Sequence, residues 1–546
     1  MRDCGFQPGE SYSYPLLIKK LLVTPLLYAP DQEIVYRDKV RMTYRTFHER
    51  VHRLANALAG LGLKPGGTVG VLDYDSHRYL ECFFAIPMMG SVLHTLNWRL
   101  SPDQILYTIN HAEDDILFVH TDFLPIVEAI LDRLETVKKI VLLSDDGVIP
   151  TSKIAFDAEY EALLKGGAST FDFPDLDENT RATTFYTTGT TGRPKGVFFS
   201  HRQLVMHTLC GSIALGVYDS LCRFRSTDVY MPMTPMFHVH AWGIPYIATM
   251  LGVKQVYPGR YEPEMLLKLI LTEKVTISHC VPTILHMLVS SPAVKKLDLS
   301  RWRVVIGGAR FPKGLAQAAM DLGIQVMSGF GMSETCPIIS LATLKPGMLD
   351  WPKEKQVDVL IKTGMPIPLV EMKIVDPAGK PLPHDGKTTG ELVMRAPWLT
   401  AGYFKDPEQS KALWPDGWLH GGDIANVDPE GYIQITDRLK DVIKTGGEWI
   451  SSLELENLLS QHPAVSEAAA IGIPDAKWGE RPMMLAVLKP DAKAAPEELK
   501  AFMQSFVDSG KIPRYGLPDR YEIVAEIPKT SVGKINKVKL REMYAK

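Results

Sequence analysis

Between residues 46 and 144 the chain alternates two patterns, and that alternation restricts its fold more than any other feature. Thr46-Phe47-His48-Glu49 reads as a helix-capping box. Val51, Leu54, Ala55, Leu58 and Ala59 then recur at helical spacing until Gly60 and Gly62 end the run. "TVGVLDY" (68–74) has the make-up of a buried strand. A helix follows around 76–89, a strand at 91–96, a helix capped by Ser101 and Gln104, and strands at "DILFVH" (115–120) and "KKIVLLS" (138–144). Such a run implies a mostly parallel sheet covered on both faces. The rhythm resumes with helices near 201–215 and 262–273 and a strand at "RVVIGG" (303–308).

From about 365 the texture changes. "VEMKIVDPAGKPLP", "GELVMR" and "DPEGYIQITD" are short strands separated by turn residues. Beyond "DRLKD" (437–441), "EWISSLELENLLSQHP", "AAAIGIP", "RPMMLAVLKP" and a helix at 496–509 predict a separate α+β unit. The expected fold class is α/β. A large N-terminal domain (1–436) of parallel-sheet layers would include a small β-rich subdomain at about 365–436. A hinge at 437–441 would lead to a small mobile α+β C-terminal domain, 442–546. The chain has no internal repeat and no low-complexity tract.

The 546 residues carry a formal charge of only −3, which argues against a nucleic-acid surface or a polybasic membrane surface. Six scattered cysteines without a Cys-x-x-Cys pair fit reduced thiols in a cytoplasm, not a disulfide framework or a zinc site. "PLLIKKLLVTPLLYAP" (15–30) is apolar but broken by Lys19-Lys20 and by prolines. It reads as an amphipathic docking segment rather than a signal peptide. No run is long enough to span a bilayer. The expected location is cytoplasmic, with membrane-surface contact left open. The N-terminal arm packs on its own domain or docks on a second subunit in a homodimer.

Residues 187–196, "TTGTTGRPKG", contain nothing that packs in a core. A strand pattern (Thr183–Tyr186) precedes them, Val197-Phe198-Phe199 follows, and Ser200-x-x-Gln203 opens a helix. A glycine loop with hydroxyls and one lysine suits an anion such as a polyphosphate. It is not a P-loop, because Lys195 is followed by Gly196 and the glycine spacing differs. The plainer alternative is a flexible hairpin tip. Four more segments accompany it. "GFGMSETCP" (329–337) carries Ser333 and Glu334, and "WLHGGDIANVDPEGY" (418–432) places Asp423 in a polar turn between strands. "ITDRLKDVIKTGGEW" (435–449) carries Arg438 and Lys440, and "IPKTSVGKINK" (527–537) carries Lys534. Singly, each has a plain reading: Glu334 as a surface carboxylate, Asp423 as an ordinary turn residue, Arg438 with Asp437 and Asp441 as a solvated charge cluster, and Lys534 as a solvent-facing lysine.

In this order and at these separations they resemble the adenylate-forming superfamily of acyl-CoA synthetases, firefly luciferases and peptide-synthetase adenylation domains, from about residue 40 to 540. The fatty-acyl-CoA synthetases look most similar, through "MFHVHAWGIPY" (236–246) and "KTGGEWISS" (444–452). The resemblance implies ATP, Mg²⁺ and CoA. The loop, with Thr188, Gly189, Thr190, Thr191, Gly192 and Lys195, would hold the β- and γ-phosphates. Gly307, Gly308, Ala309, Phe330, Gly331, Met332 and Ser333 would border the nucleotide. Asp423 would take the ribose hydroxyls, and Arg438 would also contact the nucleotide. Glu334 and Thr188 would hold Mg²⁺. His238 and Trp242 would line the acyl pocket, with His238 and Thr188 among the catalytic residues. Lys440 would sit at the hinge, Gly446, Gly447 and Trp449 by the pantetheine tunnel, and Lys534 would catalyse adenylation. Many relatives have tyrosine and threonine where this chain has Phe330 and Ser333; the ring face and the hydroxyl survive.

The resemblance implies two steps. A carboxylate attacks the α-phosphorus of ATP, giving acyl-AMP and pyrophosphate, and a thiol then displaces AMP. Two other readings stay open: luciferase-type oxidation of the adenylate, and a dead nucleotide-binding module. The latter predicts loss of Lys534 or Glu334, and both are present. Medium-chain, long-chain, aryl and short sulfur-containing acids all remain candidate substrates.

Overall fold

The computed structural model describes residues 14–187, 193–446, 448–529 and 535–545. The expectations placed on Thr188, Gly189, Thr190, Thr191, Gly192, Gly447 and Lys534 lie outside the described residues, as does that on the Trp449 side chain.

The expected alternation produces two parallel layers. Seven strands form one sheet in the order Ala158–Glu159, Lys139–Leu143, Asp114–His120, Thr68–Leu72, Val92–Thr95, Arg181–Tyr186 and Gly196–Ser200. Every neighbouring pair is parallel except the last, which is a hairpin. Nine strands form the other sheet. Its parallel centre runs through Lys254–Tyr257, Val229–Met233, Ile277–Cys280, Arg303–Ile306 and Gln325–Gly331. Strand Thr68–Leu72 and helix His77–Met88 are buried throughout, as a covered parallel sheet requires.

The first helix differs from its sequence reading. It spans Tyr44–Gly60 and is capped by Thr43, whose Oγ1 accepts the Thr46 N–H at 3.2 Å. Strand Val40–Thr43 runs straight into it, and Thr43 keeps the extended backbone an N-cap needs, so Thr46 falls in the first turn. Both other capping boxes form, at Ser101–Gln104 and Ser200–Gln203.

The carboxyl ends of the two sheets face each other. Asp75 follows strand Thr68–Leu72, and its Oδ1 accepts the Met236 N–H at 2.7 Å beyond strand Val229–Met233. Thr95 Oγ1 donates to the Phe237 carbonyl at 2.8 Å. Ligands of open α/β sheets lie at such carboxyl edges. A four-stranded antiparallel sheet follows (Glu371–Val375, Gly390–Arg395, Leu419–Val427, Ile433–Arg438). The last unit packs Val465–Asp475 against Gly479–Leu488, with helices Ser452–Leu459 and Pro496–Asp508. In the N-terminal arm Ile18, Leu21 and Leu22 are buried, so it packs on its own chain, while Leu27 and Tyr28 face outward.

Candidate active site

Strands Arg181–Tyr186 and Gly196–Ser200 pair as a hairpin, which fixes both ends of the segment between them. Thr187 N–H donates to the Lys195 carbonyl at 2.9 Å. Lys195 Nζ reaches Gln409 Oε1 at 2.7 Å and stands 4.7 Å above the Tyr403 ring. The Tyr403 hydroxyl donates to Glu334 Oε1 at 2.7 Å. Glu334 lies in the short 3₁₀ turn Ser333–Thr335 and is 8% exposed. Burial and the Glu334 carboxylate push the Tyr403 phenol well up, so it remains a donor. Sequence reasoning brought Lys195 and Glu334 together but missed Tyr403, a plain aromatic in "TAGYF".

The residues expected to border the nucleotide end two adjacent parallel strands. Gly307-Gly308-Ala309 follows Arg303–Ile306, and Phe330 and Gly331 end Gln325–Gly331. Gly331 has no room for a side chain, because a Cβ there would stand 1.8 Å from the Pro337 carbonyl oxygen. Gly331→Ala must displace the 331–337 turn. Its expected cost is about 1–3 kcal/mol of stability, the range for forcing extra atoms into a packed site, together with weakened ATP binding. Thermal unfolding and an ATP titration read both; a wild-type melting temperature would show that the turn gives way freely.

Asp423 is not in a turn. It lies inside strand Leu419–Val427, paired in register with Arg438, and is 1% exposed. Gly421 serves close packing: a Cβ there would meet Met332 Sδ at 2.7 Å. Arg438 Nε pairs with Asp423 Oδ1 at 2.7 Å. The strand Ile433–Arg438 therefore takes in the first two residues of the expected hinge, and exposed Lys440 follows in the turn.

The segment expected to line the acyl pocket shows a long run of left-handed backbone. Val239, His240, Ala241 and Trp242 have φ of 48°, 55°, 48° and 60°, and Gly243 follows at 71°. Left-handed conformation costs about 1–2 kcal/mol per non-glycine residue, and a β-branched valine there is unusual. Asp75 and Thr95, which sequence reasoning missed, clamp the entry to this turn just before His238. Burial pushes the Asp75 carboxyl up to about 7. The Trp242 indole lies 3.0 Å from where a Gly307 Cβ would stand, and its ring centre is 5.0 Å from that of His279. The Trp242 side chain thus stands between the Gly307 turn and His279. Burial pushes His207, His240 and His279 down to about 3, so they are neutral imidazoles. His240 is enclosed by Phe83, Phe185 and Phe199, and among the described residues neither of its ring nitrogens has a hydrogen-bond partner.

On the C-terminal unit, Gly446 (φ 60°) donates its N–H to the Trp478 carbonyl at 2.8 Å. A Cβ at Gly446 would meet the Trp478 ring at 2.9 Å. Trp478 is 45% exposed, a second residue that sequence reasoning passed over. Arg310 Nη1 donates to the Leu453 carbonyl at 3.1 Å, which joins this unit to the turn after Gly308. Asp437 accepts both the Ser452 N–H (2.5 Å) and its hydroxyl (3.0 Å), and Lys537 pairs with Glu456 at 2.7 Å.

The chemistry of the donor set fits Mg²⁺. Among the described residues no three His, Cys, Asp or Glu come together to cage a metal. One carboxylate, with substrate phosphates and water completing the shell, is how this ion is usually held.

Residues 27–404 match the AMP-binding enzyme family and residues 454–534 the AMP-binding enzyme C-terminal domain. The chain is 42% identical to a long-chain-fatty-acid–CoA ligase of Thermus thermophilus, over 92% of this chain and 90% of the relative. It is 39% identical to a 3-methylmercaptopropionyl-CoA ligase of Ruegeria lacuscaerulensis, over 98% of each. A medium-chain-fatty-acid–CoA ligase of Ectopseudomonas oleovorans is 36% identical, over 98% of this chain and 97% of the relative. Among solved structures, an anthranilate CoA ligase in complex with anthranoyl-AMP superposes with a TM-score of 0.83 at 26% identity, over 98% of this chain and 97% of that one.

Proposed function

Because the chain belongs to the AMP-binding, adenylate-forming enzymes and is an acid–CoA ligase of that family, we propose that its preferred acid is a medium-chain fatty acid and that the residues assembled above carry the reaction. The observation that carries the substrate reading is Trp242. Its indole stands between Gly307 and His279, in a core that also buries His240 among phenylalanines, and in such surroundings a charged or strongly polar acid tail would lose hydration without a partner.

In the first step an acid oxygen attacks the α-phosphorus and pyrophosphate leaves. Two anions approach and a third departs, so positioned positive charge does most of the work. Lys195 and Lys534 supply ammonium groups, and Glu334 would hold Mg²⁺, which would neutralise phosphate charge. Asp423, an acceptor-only carboxylate already fixed by Arg438, receives the ribose hydroxyls. In the second step the thiol attacks the acyl carbon and AMP leaves with the oxygen that came from the acid. The C-terminal unit turns about 437–441 between the steps, taking Lys534 away and bringing Gly446 in.

Specificity is expected to rise with chain length, because each buried methylene contributes about 0.8 kcal/mol. kcat/KM measured from acetate to hexadecanoate should climb from butanoate to a maximum at roughly six to twelve carbons, with about three to six further methylenes buried at that increment. Trp242→Ala should weaken the dependence of acid binding on ATP. A second reading, 3-methylmercaptopropionate, is favoured by the relative of that name aligned over 98% of both chains. Placing that thioether acid in the same panel decides the matter: kcat/KM above that of every straight-chain acid would replace the fatty-acid reading and leave the acid–CoA ligase intact.

A further inference from the structure

Glu334 and Lys195 are 139 residues apart in sequence and carry opposite charges, yet one side chain touches both. Tyr403 donates its hydroxyl hydrogen to Glu334 Oε1 and lies with its ring beneath the Lys195 ammonium. Its own backbone is held by the same two segments. Tyr403 bridges Val197, and the next N–H, that of Phe404, donates to the Gly196 carbonyl at 2.7 Å. Three residues earlier, Thr400 N–H donates to the Glu334 carbonyl at 2.9 Å, while Thr400 Oγ1 donates to the Phe198 carbonyl at 2.9 Å. Ser410 closes the turn, its Oγ accepting the Tyr403 N–H at 2.8 Å.

The stretch 400–404 is thus a splint between the exit of the phosphate loop and the 3₁₀ turn of Glu334. The two contacts of Tyr403 suit two different tasks. A hydrogen bond to one carboxylate oxygen fixes a three-torsion side chain and leaves the second oxygen for a cation. A ring face steadies an ammonium without consuming any of its three N–H donors, so Lys195 keeps them for phosphate oxygens while Gln409 holds one in the meantime.

We infer that Tyr403 is a positioning residue that sets the Glu334 carboxylate and the Lys195 ammonium as one unit, so that metal and triphosphate are received together. This rests on the reading of Glu334 as the Mg²⁺ ligand. The experiment uses the full chain without acid or CoA, so no turnover is required. Binding of a non-hydrolysable ATP analogue is titrated with Mn²⁺ present and with chelator present, and bound Mn²⁺ is read by electron paramagnetic resonance. Tyr403→Phe keeps the ring and removes the hydroxyl. It should weaken Mn²⁺ binding in the ternary complex about 10-fold, the lower end for loss of a group that orients a metal ligand. It should leave metal-free nucleotide binding within about twofold, because the ring beneath Lys195 remains. Tyr403→Leu removes the ring too and should weaken metal-free binding as well, by about two- to fivefold. Wild-type Mn²⁺ affinity in Tyr403→Phe, with Glu334→Gln clearly weakened, would overturn the inference and leave the Glu334 reading standing. Wild-type Mn²⁺ affinity in Glu334→Gln would overturn the Glu334 reading itself. An equal loss with and without metal in Tyr403→Phe would mark a merely structural tyrosine and also overturn the inference.

Discussion

Lys534→Ala is expected to lower acyl-AMP formation by about 10²–10³-fold, the effect typical of removing one preorganised contact to developing charge. The reverse-assembled half-reaction, acyl-AMP plus CoA, should proceed at close to the wild-type rate. The expectation follows from how the chain flanking residue 534 is held. Lys529 bridges Ile535, and Asn536 N–H donates to the Pro528 carbonyl at 2.8 Å. Helix Lys537–Tyr544, which follows, is locked to the C-terminal unit by the Lys537–Glu456 pair. These flanking residues belong to the C-terminal unit, so Lys534 is expected to leave the substrate when that unit turns. Acid-dependent ATP–pyrophosphate exchange reads the first step, and thioester formation from synthetic acyl-AMP reads the second. Equal slowing of both would mean that Lys534 serves binding in general, and the two-state assignment would fall.

Gly446→Leu is expected to do the opposite and to do it more completely. At φ 60° a leucine is strained, and its Cβ would strike the Trp478 ring at 2.9 Å before the rest of the side chain is placed. Thioester formation should fall to near background, while pyrophosphate exchange stays close to wild type. Gly446→Ala, with the same strain but less bulk, should give an intermediate loss and so separate backbone strain from tunnel blockage. Normal CoA turnover in the leucine variant would put the thiol's path elsewhere.

These paired effects draw on features that were unequally visible in the sequence. The two parallel layers, the four-stranded sheet and the last α+β unit were legible because each rests on local signals: capped helices, apolar strands and turn residues at regular spacing. Lys195 and Glu334 were legible because glycine-rich turns mark them. What stayed hidden is long-range. Nothing near Tyr403 announces that it will meet Glu334, 69 residues away, and Lys195 as well. Asp75 looks like an ordinary post-strand turn residue until strand Val229–Met233 arrives beside it. Asp423 lies in a strand rather than the expected turn, and Gly421 beside it is needed for the approach of Met332. The left-handed turn at 239–242 has no local signal at all, because valine, histidine, alanine and tryptophan all favour other backbone angles. It persists only because the Asp75 and Thr95 clamps and the packing of Trp242 hold it.

The central claim is that the acid is activated as an acyl-adenylate before CoA accepts it. It has a direct isotopic test. Octanoate labelled with ¹⁸O in its carboxylate is incubated with the enzyme, ATP, Mg²⁺ and CoA, and the products are weighed by mass spectrometry. Attack on the α-phosphorus makes an acid oxygen the bridge of acyl-AMP, and thiol attack on the acyl carbon then leaves that oxygen on AMP. The account predicts one ¹⁸O in AMP for each octanoyl-CoA formed and none in pyrophosphate. Label in inorganic phosphate alongside ADP, or unlabelled AMP beside octanoyl-CoA, would contradict it.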